Sequence, residues 1–217
     1  MLREFERALI ENPVTNAILF NQMTGSVGQF FEAARYRREY AQYRSQYDID
    51  PTFRFNGPGI TLYGEGDIEL GANSYIGRHS RIQAESDKAV RIGKNTAISH
   101  FVFCYTQNRI ADQDMSVALN TNDNLAVREG NTAVGDDCWI GAFTFLTEGA
   151  SVGNNTVVGA NAVVTGDLPP HAIAIGAPAQ VRQFKSYLSD ENARQLAIDY
   201  ADTLSDNLIN EYLPESR

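Results

Sequence analysis

The sequence predicts a mainly β chain wound as a parallel β-helix, a triangular prism flanked by N-terminal helices and a C-terminal helix and interrupted by one long excursion loop. Three observations predict it. Aliphatic residues recur at every sixth position, glycine and Asn/Asp stand at fixed offsets after them, and the one large gap in the spacing is polar and poor in apolar anchors.

The hexad is plainest from Val134, where Val134, Ile140, Leu146, Val152, Val158 and Val164 follow one another six apart. The same spacing links Leu70, Ile76 and Ile82, and again Ile92, Ile98 and Cys104. Six matches neither the period of about 3.6 of a helix nor the alternation of a strand, and implies a coil with corners. Glycine follows the aliphatic residue at Gly71, Gly77, Gly93, Gly135, Gly141, Gly153 and Gly159. Three places on come Asn73, Asn95, Asp137, Asn155 and Asn161, with His79 at the same offset, and four places on a small residue such as Ser74, Ser80, Thr96, Thr144, Ala150, Thr156 or Ala162. Gly and Asn/Asp tolerate the positive φ of a tight corner, and a small side chain beside it leaves room for the next coil. Three hexads per triangular turn would stack at about 4.8 Å, the spacing of hydrogen-bonded strands, with the aliphatic column filling the interior.

Taken in order, residues 1–57 read as an N-terminal helical segment, with helices at 2–11 and 28–47. Tyr36, Tyr40, Tyr43 and Tyr47 share one face of the second, expected to pack on the prism or a neighbouring subunit, and Arg35, Arg37, Arg38 and Arg44 form its solvated side. The prism occupies residues 58–185. Ile82 to Ile92 is ten residues, so Glu85-Ser86-Asp87-Lys88 is expected to bulge from a corner as decoration. Cys104 to Val134 is thirty, and the loop 105–133 carries Gln107, Asn108, Arg109, Asp112, Asp114, Asn120, Asn122 and Asp123. A loop of that length in a compact repeat is usually functional. Pro169-Pro170 should end the coil, and Gly176-Ala177-Pro178-Ala179 should turn the chain away. In residues 186–217, Ser189 and Asn192 open a helix expected to run to about Glu211, with Leu196, Ala197, Tyr200, Leu204 and Leu208 on its apolar face.

A chain of 217 residues with 43% hydrophobic content supports one sizeable core with appendages. The net charge of −9, with three lysines among eighteen basic residues, argues against a nucleic-acid partner on electrostatic grounds. Cys104 and Cys138 sit inside apolar patterns, with no CxxC spacing. No segment approaches the ~18 apolar residues of a membrane span, and Arg3, Glu4, Glu6 and Arg7 interrupt any leader-like start. A cytoplasmic protein is expected.

These repeats resemble those of the hexapeptide-repeat acyltransferases, a family that includes maltose, galactoside and polysaccharide O-acetyltransferases. The resemblance covers roughly residues 58 to 185 and implies a left-handed prism, whereas the general rule for parallel crossovers favours the right hand. It also implies a homotrimer with active sites between prisms, acetyl-CoA as co-substrate with no metal, and an excursion loop that walls the site. The expected function is acyl transfer, with acetyl as the group moved, to a hydroxyl of a sugar or polysaccharide-type acceptor.

Acyl transfer from a thioester needs a base, a donor for the oxyanion and a channel for the pantetheine arm. Of the three histidines, His79 reads as a corner residue and His171 as a surface turn; His100, two places after Ile98, is the candidate catalytic residue. The similar enzymes carry a histidine near the start of the loop, in a stretch like Thr-Gly-Asn-His-Asp, where this chain reads Thr106-Gln107-Asn108-Arg109-Ile110. Arg109 stays protonated and suits an anion or oxyanion instead. His100, Asp112 or Asp114 supplies the base, or the chain has lost the reaction. Arg109, Asp112 and Asp114 are otherwise expected to line the acceptor site. Trp139, in Asp137-Cys138-Trp139-Ile140-Gly141, matches the family's Trp-Ile-Gly signature and is expected to line both acceptor and donor sites. By the same resemblance Ala142, Ala160 and Thr165 border the pantetheine channel. Gln180 replaces the usual basic residue of the closing motif, which leaves Arg182 for the nucleotide phosphates. Two rivals remain: a catalytically impaired trimeric prism acting as a binding or scaffold module, and a zinc carbonic anhydrase, which would need three converging histidines that this spacing does not offer.

Overall fold

The computed structural model describes residues 22–114, 116 and 126–214. The helix expected at 2–11 and the loop residues Asn120, Asn122 and Asp123 lie outside the described residues. The chain divides into two compact units after Gln42, a boundary that falls within the helix α1 (Gln22–Gln46). In the first unit Tyr36 stacks on Tyr40 at 6.1 Å between ring centroids, and the Arg35 guanidinium lies 5.0 Å from the Tyr36 ring.

The second unit begins at Tyr43 and contains the prism. Its interior is built as the hexad requires. The first face stacks Asp48–Ile49, Asp67–Leu70, Ala89–Ile92, Thr132–Val134, Ser151–Val152 and Asp167–Leu168. The second stacks Arg54–Asn56, Tyr75–Gly77, Ala97–Ile98, Trp139–Ile140, Val157–Val158 and Ala172–Ile175. The third stacks Thr61–Tyr63, Arg81–Gln83, Phe103–Tyr105, Phe145–Leu146 and Val163–Val164. Neighbouring strands within these stacks are parallel, and the register aligns like with like: Ile92 with Val134 and Val152, Ile98 with Ile140 and Val158, Cys104 with Leu146 and Val164. All of these side chains are buried. Each buried Val, Leu or Ile contributes about 1.5–3 kcal/mol relative to exposure, so the columns are the main source of stability.

The small residues beside the corners do more than leave space. Ser74 Oγ donates to Gly93 O (2.7 Å) and accepts from Thr96 N (2.8 Å); Thr96 Oγ1 donates to Gly135 O (2.8 Å) and accepts from Cys138 N (3.1 Å). Cys138 Sγ continues the line to Gly153 O (3.1 Å), and Thr156 Oγ1 donates to Pro169 O (2.7 Å). One buried hydroxyl or thiol per coil thus satisfies the backbone carbonyl that the corner leaves unpaired, as buried polar groups must be satisfied. Cys138 is therefore a rung of this ladder, while Cys104 belongs to the aliphatic column. Burial pushes the Cys104 thiol up to about 12.

Positive φ occurs at Asn73, Asn95, Asp137, Asn155, Asn161, His79 and His171, so both histidines are corner residues. Phe101 and Phe143 also adopt positive φ, at 57° and 61°, which nothing in the residue type of a bulky aromatic favours.

Several expectations need correction. The coil starts at Asp48 rather than residue 58, because Asp48–Ile49 and Arg54–Asn56 pair in parallel with Asp67–Leu70 and Tyr75–Gly77. Arg44 is exposed, as expected, but it is not idle: it donates to Asp50 O (2.9 Å) and Phe53 O and lies over the Phe55 ring, capping the first coil's turn. The Glu85–Lys88 bulge is more than decoration, since Lys88 Nζ pairs with Glu129 (3.5 Å) at the root of the excursion loop. Pro169-Pro170 does not end the coil, for Ala172–Ile175 still pairs in parallel with Val157–Val158. The chain then reverses rather than departing, and Gln180–Phe184 pairs antiparallel with Ala172–Ile175, covering the open end. The single C-terminal helix is two, α2 (Asp190–Asp199) and α3 (Asp206–Tyr212), separated by a 3₁₀ turn at Ala201–Thr203. The break occurs where Leu204 is buried and bridges to Val181, and Ser205 N donates to Val181 O (2.9 Å).

Two expected outcomes follow from the ladder and the column. Thr96→Val keeps the shape but leaves Gly135 O and Cys138 N without their partner, and denaturant unfolding should register a loss of about 1–3 kcal/mol; no loss would remove the ladder's energetic role. Cys104 is held neutral in the fold while an unfolded chain ionises near its ordinary value of 9.0. Its contribution is therefore complete below that pH and lost as pH rises from there toward about 12, so Cys104→Ala should flatten the alkaline fall in melting temperature.

Candidate functional site

The predicted site residues group at two different corners of the prism, except Arg182 on the closing strand. Where the second face turns into the third, one column carries Arg78, His100, Ala142 and Ala160, consistent with Phe143 N bonding His100 O (3.1 Å) and Asn161 N bonding Ala142 O (2.9 Å). Next to it His79, Phe101 and Phe143 form a stack, with ring centroids 5.1 Å and then 4.8 Å apart. The stack follows the coil rise, since each ring sits at the same corner position of successive coils. It offsets the cost of placing two phenylalanines in the left-handed region, where aromatic residues are strained.

His100 is exposed, but its Nδ1 is engaged. The Arg78 backbone N–H donates to His100 Nδ1 at 3.1 Å, and a Cβ on Gly77 would stand 2.3 Å from that nitrogen. Only a glycine at 77 admits the ring. Trp139 is 56% exposed on the second face, and its Nε1–H donates to Ser99 Oγ (3.3 Å), beside His100. The indole N–H is thus spent inside the protein and the ring's face is what it offers to a ligand.

The excursion loop leaves at another corner, between the third face and the first. Its root is an antiparallel hairpin of Gln107–Arg109 with Val127–Glu129. Three side-chain devices hold it. Gln107 Nε2 donates to Glu129 Oε1 (2.6 Å). Gln113 mimics a paired strand, donating from Nε2 to Ala126 O (3.0 Å) and accepting at Oε1 from Ala126 N (2.8 Å). Glu148, on the coil above with a side chain only 7% exposed, accepts from Asn108 Nδ2 (2.5 Å) of one strand and faces Arg128 Nη1 (3.7 Å) of the other. A nearly buried carboxylate is stable only when so compensated.

Of the residues expected around the loop, Arg109 is exposed on the hairpin and Asp112 is exposed in the bend that follows. Asp114 accepts from Ser116 N (2.9 Å), and the Ser116 hydroxyl and amide hold its carboxyl below the usual range. That is a local turn. Thr165 is exposed at this same corner, and Arg182 is exposed on the closing strand at the end of the second face. Within one chain, then, the structure brings together His100, Trp139, Ala142 and Ala160, and keeps Arg109, Asp112, Asp114, Thr165 and Arg182 apart from them. His171 lies at the third kind of corner, between the first and second faces, its Nδ1 2.9 Å from Tyr187 Oη. Among the described residues no group of three His, Cys, Asp or Glu side chains is disposed to hold a metal ion.

The family described as bacterial transferase hexapeptide (six repeats) matches residues 131–166, the coils that carry the uninterrupted column. Residues 131–166 are hexapeptide repeats of that family. Among its relatives, a probable acetyltransferase of Mycobacterium tuberculosis is 30% identical over 142 residues, covering 64% of this chain and 45% of that protein. A putative lipopolysaccharide biosynthesis O-acetyl transferase of Escherichia coli is 30% identical over 131 residues, 58% of this chain and 66% of that one. The chain thus spans about half the length of the first of these curated relatives and about two thirds of the second. A hexapeptide-repeat acetyltransferase from Vibrio cholerae superimposes with a TM-score of 0.51 at 22% identity, covering 70% of this chain and 80% of that one, and shares the left-handed β-helix fold.

Four residues of these corners are not singled out by sequence: Glu148, Gln113, Phe101 and Phe143. Phe101 and Phe143 carry a signal, since they occupy the Asn/Asp/His offset of the hexad. Glu148 carries only its place one coil beyond the loop's return. Replacing it with alanine should strip both hairpin strands of a charge-assisted partner, and amides of Gln107–Arg109 and Val127–Glu129 should exchange with deuterium about ten- to a hundredfold faster. Exchange in Thr132–Val164 should stay unchanged; equal protection throughout would show the node to be idle.

Proposed function

We propose that this protein transfers an acyl group, acetyl in the first instance, from a coenzyme A thioester to a hydroxyl of a sugar-type acceptor. The observation that carries the reading is the corner at which His100 meets Trp139, Ala142 and Ala160, the last three on the coils that match the bacterial transferase repeats. The relatives support acetyl transfer, among them the putative O-acetyl transferase of Escherichia coli.

The chain's own groups suit the parts of that reaction. Ala142 and Ala160 follow the close-packed Gly141 and Gly159, so the corner above His100 presents a shallow track along which a narrow, flexible arm can lie with backbone amides and carbonyls at hand. Trp139, its N–H already bonded to Ser99, presents an apolar ring to an acceptor. Both cysteines are buried and the half-buried Ser99 Oγ at this corner is engaged by the Trp139 N–H, which favours direct attack of the acceptor on the thioester over a covalent enzyme intermediate. Arg109 and Arg182 supply exposed positive charge for an anionic group on acceptor or nucleotide.

We further propose a homotrimer. The second and third faces carry Trp139, Phe143 and Ile175 and Tyr63, Phe103, Tyr105 and Phe145 outward, whereas the first carries Asp48, Asp67, Glu69 and Asp167. Apolar faces of this kind favour contact with further copies, and assembly would bring the loop of one copy near the His100 corner of another.

The second reading, a scaffold or binding prism without turnover, is favoured by Arg109 standing where the similar enzymes carry a histidine. Thiol release from acetyl-CoA in the presence of a panel of sugar acceptors separates the two. Acyltransfer predicts acceptor-dependent release, lost by about tenfold or more in Trp139→Ala through a raised acceptor KM; a scaffold releases no thiol with any acceptor or acyl chain length.

A further inference from the structure

We propose that His100 takes part in the reaction as a hydrogen-bond donor through Nε2–H, holding the thioester carbonyl oxygen as it becomes an oxyanion, and that it is not the base. The proposal rests on the acyltransferase reading above and assigns its chemistry. A neutral imidazole has one N–H and one lone pair. At His100 the lone pair is fixed on Nδ1, because the Arg78 backbone N–H points at it from 3.1 Å. The other tautomer would set two N–H groups against each other at that distance. The ring lies closely over Gly77, where even a single methyl would stand 2.3 Å from Nδ1, and this close seat keeps Nδ1 on the Arg78 amide. The proton of the neutral ring therefore resides on Nε2, at the exposed tip, open to a ligand.

A base at this position would need the reverse arrangement, a lone pair on Nε2 aimed at the acceptor hydroxyl. What the corner offers instead is a rigid neutral donor, the arrangement by which a histidine polarises a carbonyl without transferring a proton. The neighbouring N–H groups do not compete: the Trp139 N–H is committed to Ser99 Oγ, and the Arg78 amide to His100 itself. The charged and titratable groups packed around the ring are Arg78 on its own column and His79 at the adjoining corner position, while the coil above contributes Ala142 and Phe143. In the step itself the acceptor oxygen bonds to the thioester carbonyl carbon, the carbon–sulfur bond breaks, and the acceptor's proton ends on the released thiol, carried by water or by the acceptor's surroundings. His100 keeps its proton throughout.

Two measurements test this. In ¹⁵N-histidine spectra of the whole protein near pH 8, the His100 ring, assigned by its loss in His100→Gln, should show a protonated Nε2 and an unprotonated Nδ1; the opposite tautomer overturns the proposal. In acetyl-CoA turnover, His100→Gln can still donate from its side-chain amide and should stay within about tenfold of the parent, whereas His100→Ala should lose about a hundredfold or more in kcat. Equal loss in both, together with disappearance of an ionisation near neutrality from the pH dependence of kcat/KM, would assign His100 as base and overturn the proposal. Full activity in His100→Ala also overturns it, and leaves the acyltransferase reading standing. Absence of thiol release from the parent protein overturns the acyltransferase reading itself, and with it the catalytic role of His100, whatever tautomer the ring adopts.

Discussion

A side chain that recurs at every sixth residue and is buried each time must meet its counterpart from the coil above, and the rest of this protein follows from that meeting. Stacked strands of two to four residues make few ladder bonds each, so the prism is held by its columns of Val, Ile and Leu and not by any one strand. Because the columns fix the register of each coil on the next, they also fix the corners, and a residue at a given corner offset lies above its counterpart whatever its own preference. Phe101 and Phe143 accept a left-handed backbone for that reason, and stack.

The same alignment explains how much of the fold is legible in the sequence. Repeats, corners and the corner histidine His79 can be read because each leaves a periodic trace in residue type. The closing strand Gln180–Phe184 and the break between α2 and α3 leave none: Val181 and Leu204 are ordinary apolar residues whose pairing depends on a fold-back distant in sequence. The first coil is hidden because Phe53 and Ile60, both buried, crowd extra apolar residues around Ile49 and Phe55 and blur the spacing of six.

For the site, residue type is informative and residue role is not. His100 and Trp139 are identifiable as chemistry-bearing residues, yet what each can do is decided by a hydrogen bond that the sequence does not encode locally: Arg78 N–H on one, Ser99 Oγ on the other. The loop residues show the reverse. Arg109, Asp112 and Asp114 stand out as charged groups in a long loop, while its root is held by Gln107, Asn108, Gln113, Arg128 and Glu148, and residue type does not say which of these polar groups is structural. A scaffold of stacked corners therefore carries two separate arrangements, a seated histidine on one corner and a tethered loop on another, and the homotrimer proposed above is what would bring them together.

The central claim is geometric, and distance measures it most directly. Asp48, Glu69, Arg91, Ala133, Ser151 and Asp167 are successive partners on the first face. Nitroxide labels at Glu69 and Asp167 should then be separated by four coil steps, about 19 Å between backbones, and labels at Asp48 and Asp167 by five, about 24 Å. Pulsed spin-resonance distances that are narrow and differ by about 5 Å, one strand spacing, are the predicted result. Broad distributions, or two pairs with the same separation, would contradict the stacked coil and everything built on it.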